Sequence, residues 1–522
     1  MNKVGLTEMH APRPSWLDDP DSVARWQANI AALRAVSPTL AARLETAPLG
    51  DRHSFQDLRA PALPTPQGES LGVFGLGDPA LLHNALATTA TRIVAWDRDP
   101  ALVHFALSTQ DCAQDILSKR LHIALGADLV HHLEGLEWTV HPQLGHAYAG
   151  ELALLGRALP GPCVLVGTGT LFVDDLVHGL QQEGYAVYPL ATALHSVAEL
   201  DHTVQTIQPQ AIFTINYLHG TAEFCARHQV PFRCWEIDPA TDQVRPFQAQ
   251  GDVHIFTYRQ ANVADWQKNG YPSSYLPLAS NPDRRTPGTQ QPRGIAFVGT
   301  SMVQTAQSYW GRLLQLLGSR GHDEVFARHS IEQILLTQSQ TNHYVADGLL
   351  AAQFPGLPTA PDDPAMWLGE IAASRHRIQV VQQLADLDID VWGDAGWAQM
   401  DQPGVHYQGP AGHFHQLNDI YRGSLINIDI GRIYQPDIVT MRVFDVLACG
   451  GFVLAAHCDA LAELFEVGQE VDSWKTLEEL RDKTTWYLKH PQQAQAIAQR
   501  GREKILSQHN IRQRVAAMLK SI

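Results

Sequence analysis

Residues 421–465 read YRGSLINIDIGRIYQPDIVTMRVFDVLACGGFVLAAHCDALAELF. The runs SLINIDI and GFVLAAH have the length and apolar content of buried strands. Between them, MRVFDVLA has the spacing of a short helix, and Gly450-Gly451 turns it at once into the second strand. Strand, helix and strand in this order form the repeating unit of a parallel α/β sheet. Two charges interrupt the helix. Arg442 and Asp445 stand at i and i+3 and so share a face. As an ion pair they would contribute about 0.2–0.5 kcal/mol. Three features weigh toward a ligand instead: charge is costly to bury in so apolar a segment, the position is near the carboxyl ends of strands, and the glycine pair fixes the helix end. Asp437 is placed to cap the helix start, where free N–H groups and the positive end of the helix dipole favour a phosphate.

The same alternation runs through most of the chain. With 522 residues, 45% hydrophobic and 18% charged, several globular domains with sizeable cores are expected. A formal net charge of −16 argues against a general nucleic-acid binder, yet leaves room for a local basic pocket holding one small anion. The six cysteines form no C-x-x-C pair, which speaks against a disulfide framework or a structural zinc site. MNKVGLTEMHAPRPSWLDDPDS at the start has no apolar core of signal-peptide length, and no run of 18 apolar residues occurs. The expectation is a cytoplasmic protein without stable membrane insertion.

Four segments follow. Residues 1–67 read as a helical lead-in, with SVARWQANIAALRAVSPTLAARLE at helical spacing and the Pro-rich break RAPALPTPQGES behind it. Residues 68–157 alternate strand and helix as a small α/β domain, and residues 158–290 begin a second series. SNPDRRTPGTQQPRG, 280–294, is dense in Pro, Gly and polar residues and reads as a linker. A third series fills 291–522, with a helical insertion over about 302–375. The last two make consecutive Rossmann-like domains, whose shared cleft is the expected ligand site.

Five motifs carry candidate chemistry. GVFGLGDP (72–79) followed by WDRDP (96–100) places a glycine turn ahead of an acid, Asp97. This arrangement is similar to the nucleotide fingerprint of S-adenosylmethionine methyltransferases and dinucleotide folds; a plain turn with a solvent-facing acid is the alternative. VGTGTLFVDDLV (166–177) offers backbone N–H groups to an anion or sugar, or is an ordinary turn. His219 follows one apolar strand, and Glu236 and Asp238 end another, where a base or a hydroxyl ligand would stand; helix capping and pairing with Arg233 or Arg245 are the alternatives. FVGTSM (297–302) ends a strand in Gly299-Thr300-Ser301, a diphosphate cradle. The fifth is the opening stretch.

From about residue 160 onward the chain resembles the CgeB-type, or spore maturation protein B-like, glycosyltransferases. The resemblance rests on WEIDP, FTYRQANVADWQKNGYPSSYLPLASNP, FVGTS, VWGDAGW, IYRGSLINIDI, TMRVFDVLACGGFVLAA, LFEVGQEVDSW and the tail YLKHPQQAQAIAQRGREKILSQHNIRQRV. It implies a GT-B fold: two Rossmann-like domains facing a cleft, here preceded by the extra small α/β domain. It implies a nucleotide-diphosphate sugar as donor substrate and no required metal or other cofactor. Many such enzymes carry two glutamates seven residues apart where this chain has Asp437 and Asp445. Carried over, Gly299, Thr300 and Ser301 line the diphosphate, Arg442 neutralises it, and Asp445 holds the ribose. Gly393 and the stretch GPAGHF around Ala411 meet the base, supported by Tyr421 and Ser424. His219 and Asp238 face the sugar and acceptor. LSTQDCAQDILSKRLHIALGAD also resembles motility accessory factors, which implies flagellin or another surface protein as acceptor. Two other readings stand beside this one: methyl transfer through the first α/β domain, and a non-catalytic binding module with a decayed cleft.

Overall fold

The computed structural model describes residues 15–47, 49, 58, 67–156, 161–169, 171–238, 250–288, 292–359, 363–400, 402–412 and 415–522. Most of RAPALPTPQGES, Arg245, and His413 and Phe414 of GPAGHF lie outside them.

Three parallel sheets follow one another along the chain. The first has β1 (Ser70–Phe74), β2 (Arg92–Asp97), β3 (Leu121–Leu125) and β4 (Glu137–Val140) in the order β3-β2-β1-β4. Three helices of this unit start where the sequence writes Asp-Pro. Asp19, Asp78 and Asp99 each cap a helix, accepting from the backbone N–H two residues on, and the proline fills a first-turn position that needs no N–H. The lead-in helices Pro20–Val36 and Pro38–Thr46 bury Ile30, Leu33, Leu40 and Leu44 in this sheet's core.

The second sheet has β5 (Cys163–Gly167), β6 (Ala186–Leu190), β7 (Ile212–Ile215), β8 (Phe232–Glu236), β9 (Val253–Thr257) and β10 (Ser273–Tyr275), ordered β10-β9-β8-β7-β5-β6. The third has β11 (Ile295–Val298), β12 (Ile389–Trp392), β13 (Val405–Tyr407), β14 (Ile426–Asp429), β15 (Val453–Ala456) and β16 (Asp472–Trp474), ordered β13-β12-β11-β14-β15-β16. Helices on both faces explain why the central strands β5, β11 and β15 are apolar throughout rather than alternating. In the third sheet the strand order reverses between β11 and β14, and a crevice opens beyond their carboxyl ends at such a point.

The insertion forms helices Val303–Ser319, Glu324–Ser339 and Ala346–Gln353 with a core of their own around Leu313, Ile331, Phe354 and Trp367. Its last helix, Pro364–Gln383, runs past the expected limit and descends beside the sheet. The expected linker is held in place: Ser280 and Arg285 are buried and bound to Asp445.

The final helix, Ile511–Leu519, returns to the second sheet. A Cβ on Gly179 would fall 2.7 Å from the Val515 side chain, and Arg514 donates to the carbonyls of Pro277 and Leu278. One core then spans both units, from Val164 and Trp235 to Phe444 and Val515. Two Rossmann-like sheets facing a cleft, preceded by a smaller α/β unit, are the GT-B arrangement expected from the sequence.

Candidate functional site

The crevice is built from strand-end loops. Gly299 follows β11, and Gly393 follows β12. The Gly299 N–H donates to the Trp392 carbonyl at 2.9 Å, and the Gly299 carbonyl accepts from Trp397 Nε1 at 2.8 Å. The two loops are so close that a Cβ on Gly393 would sit 2.2 Å from the Gly299 carbonyl oxygen, which explains the glycine. Ser301 is fully buried; its N–H donates to Asp394, its carbonyl accepts from Ser374, and its hydroxyl accepts from the Val303 N–H. Thr300 is exposed, and its carbonyl and hydroxyl both accept from Arg377. Thus Ser301 holds the loop, while Gly299 and Thr300 front the crevice.

Arg442 stands in the first turn of the helix Met441–Ala448. Its Nε donates to the Val298 carbonyl at 2.6 Å, Nη1 pairs with Asp429, and the guanidinium lies 4.8 Å over the Phe297 ring. A Cβ on Gly299 would come within 2.8 Å of Nη2. The guanidinium is thereby fixed at the strand reversal, beside the Gly299 loop. Asp429 is buried at the end of β14 and also accepts from Thr440. Two further arginines approach. Burial and the nearby charges of Arg442 and Arg432 push the Arg377 guanidinium down to about 9, and its Nε is buried without a partner. Arg432 lies against Glu370 and within electrostatic range of Tyr258 and Asp238 across the cleft.

Several expectations need correction. Asp437 does not cap the helix; Thr440 occupies that position. Asp437 instead makes a two-pronged ion pair with Arg259 at the end of β9, 2.6 Å and 3.1 Å, which ties the two units together. Arg442 and Asp445 do not pair with each other, because each is taken by another partner. Asp445 is buried, accepts from Ser280 at 2.6 Å and pairs with Arg285 at 3.0 Å. Burial raises its pKa and Arg285 opposes the rise. Tyr421 and Ser424 sit in and just beyond the last turn of His415–Gly423, at the amino end of β14, with the buried Tyr421 side chain within electrostatic range of Arg442 and Asp445. Tyr421 is in the core, and Ser424 donates back to the Ile420 carbonyl. Ala411 remains on the cleft side, in the loop after β13, partly buried against the shared core.

From the second unit, Asp238 follows β8 and is exposed. It accepts from Asn216 Nδ2 at 3.0 Å, and Asn216 Oδ1 accepts the N–H groups of Ile237 and Asp238. Asn216 adopts φ +60°, a conformation Asn tolerates better than most residues. His219 is half-buried, edge-on to the Tyr217 ring at 5.8 Å, in the loop after β7. Glu236, the other acid on that strand, is buried on Trp266 and Asn262.

Sequence reading missed Asp429, Arg377, Arg432, Arg259 and Asn216. Asp429 had a signal, an acid inside the apolar run SLINIDI. The others are surface-type residues whose pattern carries no mark. Among the described residues, no three His, Cys, Asp or Glu side chains gather as a metal-binding group.

In the first unit, Asp97 is fully buried and accepts from the N–H groups of Leu76 and Asp99 and from the Tyr148 hydroxyl, at 2.7, 2.8 and 2.9 Å. It braces the glycine turn rather than facing solvent.

Comparison with known proteins adds one domain-level match: residues 375–520 fit the family described as glycosyl transferase-like. No curated protein matches the chain. Among solved structures, sucrose-phosphate synthase from Thermosynechococcus elongatus is similar over 69% of this chain and 98% of its own, at 12% identity and TM-score 0.41. The β-glucosyltransferase of phage T4 is similar over 69% and 99%, at 11% identity and TM-score 0.38. Anabaena HepE, solved with UDP-glucose, is similar over 69% and 100%, at 13% identity and TM-score 0.39.

Proposed function

We propose that the protein is a CgeB-like glycosyltransferase that takes its sugar from a nucleotide-diphosphate sugar bound between the second and third units. The supporting observation is Arg442, fixed on Asp429 and Val298 at the strand reversal and lying against Gly299, with Arg377 and Arg432 nearby. A guanidinium held in place before the reaction stabilises charge that develops on a leaving diphosphate without reorganising. In the transfer, an acceptor hydroxyl oxygen bonds to the anomeric carbon while the bond from that carbon to the diphosphate breaks. The electron pair leaves with the diphosphate, where Arg442 offsets its charge, as a metal does in other transferases. The hydroxyl proton passes to a base from the second unit; Asp238, oriented by Asn216, and His219 are the candidates. Exposed Thr300 and Gly299 front the diphosphate, and Gly393 and Ala411 the base. A surface protein such as flagellin is the acceptor suggested by the sequence resemblance.

Thermal shift with UDP, GDP, ADP and TDP tests this reading. At least one raises the melting temperature of the protein at millimolar concentration, and Arg442→Ala removes the effect while far-UV circular dichroism is unchanged. No stabilisation by any of the four overturns it.

A further inference from the structure

The helical insertion reaches the crevice. Its last helix, Pro364–Gln383, carries Glu370, Ser374 and Arg377 at i, i+4 and i+7, the spacing of one helix face, and all three are buried. A helix packed beside a sheet ordinarily buries apolar residues there. These three polar side chains are instead spent on two crevice loops. Glu370 accepts from the Tyr434 hydroxyl and lies 3.0 Å from Arg432, both in the loop after β14. Ser374 donates to the Ser301 carbonyl at 2.9 Å, and Arg377 donates to Thr300, both in the loop after β11.

Thr300 is the exposed residue of that loop. Arg377 Nη1 has two N–H groups and gives them to two oxygens of one residue, the Thr300 carbonyl at 2.7 Å and the Thr300 hydroxyl at 3.1 Å. A guanidinium accepts no hydrogen bond. The hydroxyl oxygen is therefore the acceptor, and its own hydrogen has to point elsewhere. Among the described residues no acceptor takes it. On an exposed residue at the floor of the crevice, that hydrogen is offered to a ligand. Charge favours an anion there. Arg442 and Arg432 act against the charge on Arg377, while Asp429 and Glu370 act for it. Three guanidinium groups thus share two carboxylates, and a bound anion restores the balance.

We propose that Arg377 is a positioning residue of the donor site: it turns the Thr300 hydroxyl to donate to the diphosphate of the nucleotide sugar, and through it the helical insertion takes part in holding the donor. Arg377 itself touches no ligand atom. The identity of the ligand rests on the transferase reading.

Calorimetry on the full chain tests it, with whichever of UDP, GDP, ADP and TDP raises the melting temperature most. Thr300→Val, which keeps the shape and loses the hydroxyl, weakens binding about tenfold. Thr300→Ser, which keeps the hydroxyl, stays within about twofold of the parent. Arg377→Met and Arg377→Gln each weaken binding about tenfold in the parent and in Thr300→Ser. In Thr300→Val they add less than about threefold, because the hydroxyl they would orient is already gone. Urea unfolding and far-UV circular dichroism establish that each variant folds. Additive losses, about a hundredfold in the double variant, make Arg377 a charge acting through space and overturn the proposal. So does Thr300→Ser binding as poorly as Thr300→Val, or Arg377 variants that bind as the parent does. Failure of both Arg377 variants to fold makes the residue structural and also overturns it. In each of these cases the parent still binds its nucleotide and Arg442→Ala does not, so the transferase reading stands. A parent that binds none of the four nucleotides removes both.

Discussion

Arg442 and Asp445 are three residues apart on one short helix, yet do different work. Arg442 reaches the ends of β11 and β14, whereas Asp445 turns to the linker and is spent on Ser280 and Arg285. The first is therefore fixed at the strand reversal, and the second joins the third unit to the linker. Two substitutions separate these roles. Arg442→Lys keeps the charge but loses the planar fork that bonds Asp429 and Val298 together, so nucleoside diphosphate affinity falls about tenfold or more, read by calorimetry. Asp445→Asn leaves Arg285 buried beside a neutral group; the melting temperature falls, while nucleotide affinity changes far less. Asp97 gives a prediction in pH. Burial, opposed by its N–H and hydroxyl donors, raises it from 3.8 to about 7. Between those values the folded state holds a proton that the unfolded state has released. Stability from this group is then fully present below about pH 4 and lost as pH rises to about 7. The stability of the parent relative to Asp97→Asn, from urea unfolding at pH 4, 5.5 and 7, declines across the series; a flat difference refutes the assignment.

At the scale of elements, the paired loops after β11 and β12 set the floor of the crevice. Gly393→Ala would drive a methyl into the Gly299 carbonyl, which is backbone and cannot rotate away. Overpacking of this kind costs about 1–3 kcal/mol. Denaturant unfolding reads that loss, and the displaced Gly299 loop lowers nucleotide affinity with it. These loops were legible in the sequence because apolar runs of strand length end in glycine there. So were the central strands β5, β11 and β15, each an unbroken apolar run. The edge strands β10, β13 and β16 were not: three residues each carry too little pattern to separate from loop. The candidate site's loops were legible only where backbone geometry dictates the residue. Gly299, Gly393 and the start of Met441–Ala448 follow from the turn of a strand into a helix. Ser424 belongs to the same sequence block but lies at the amino end of β14 and bonds back to its own helix, a placement that spacing alone does not reveal. Asp437 was read as a local cap; its partner Arg259 is 178 residues away in the chain, and no local rule reaches that far.

At the scale of the molecule, the first unit is joined to the second through buried charge. Arg43, from the lead-in, donates twice to Glu199 at 2.7 Å and twice to Asp128 at 3.0 Å, and His202 lies 2.7 Å from Asp128. Arg43 is 7% exposed and Glu199 2%, so water takes over little if either partner is lost. Such a network fixes orientation more than it adds stability, because desolvation offsets most of the Coulomb attraction. Removing one member is different. Arg43→Ala leaves Glu199 buried without its cation, a loss of about 3–5 kcal/mol. Replacing both by apolar residues, Arg43→Met with Glu199→Leu, removes the stranded Glu199 charge, leaves Asp128 on His202 alone, and so recovers part of that loss. Urea unfolding of the single and double variants measures the recovery, and limited proteolysis near residue 160 reports whether the first unit has come away. If the double variant is as unstable as Arg43→Ala, the network contributes attraction in its own right. The first unit is then held to the second by charge and not by the apolar contacts around it.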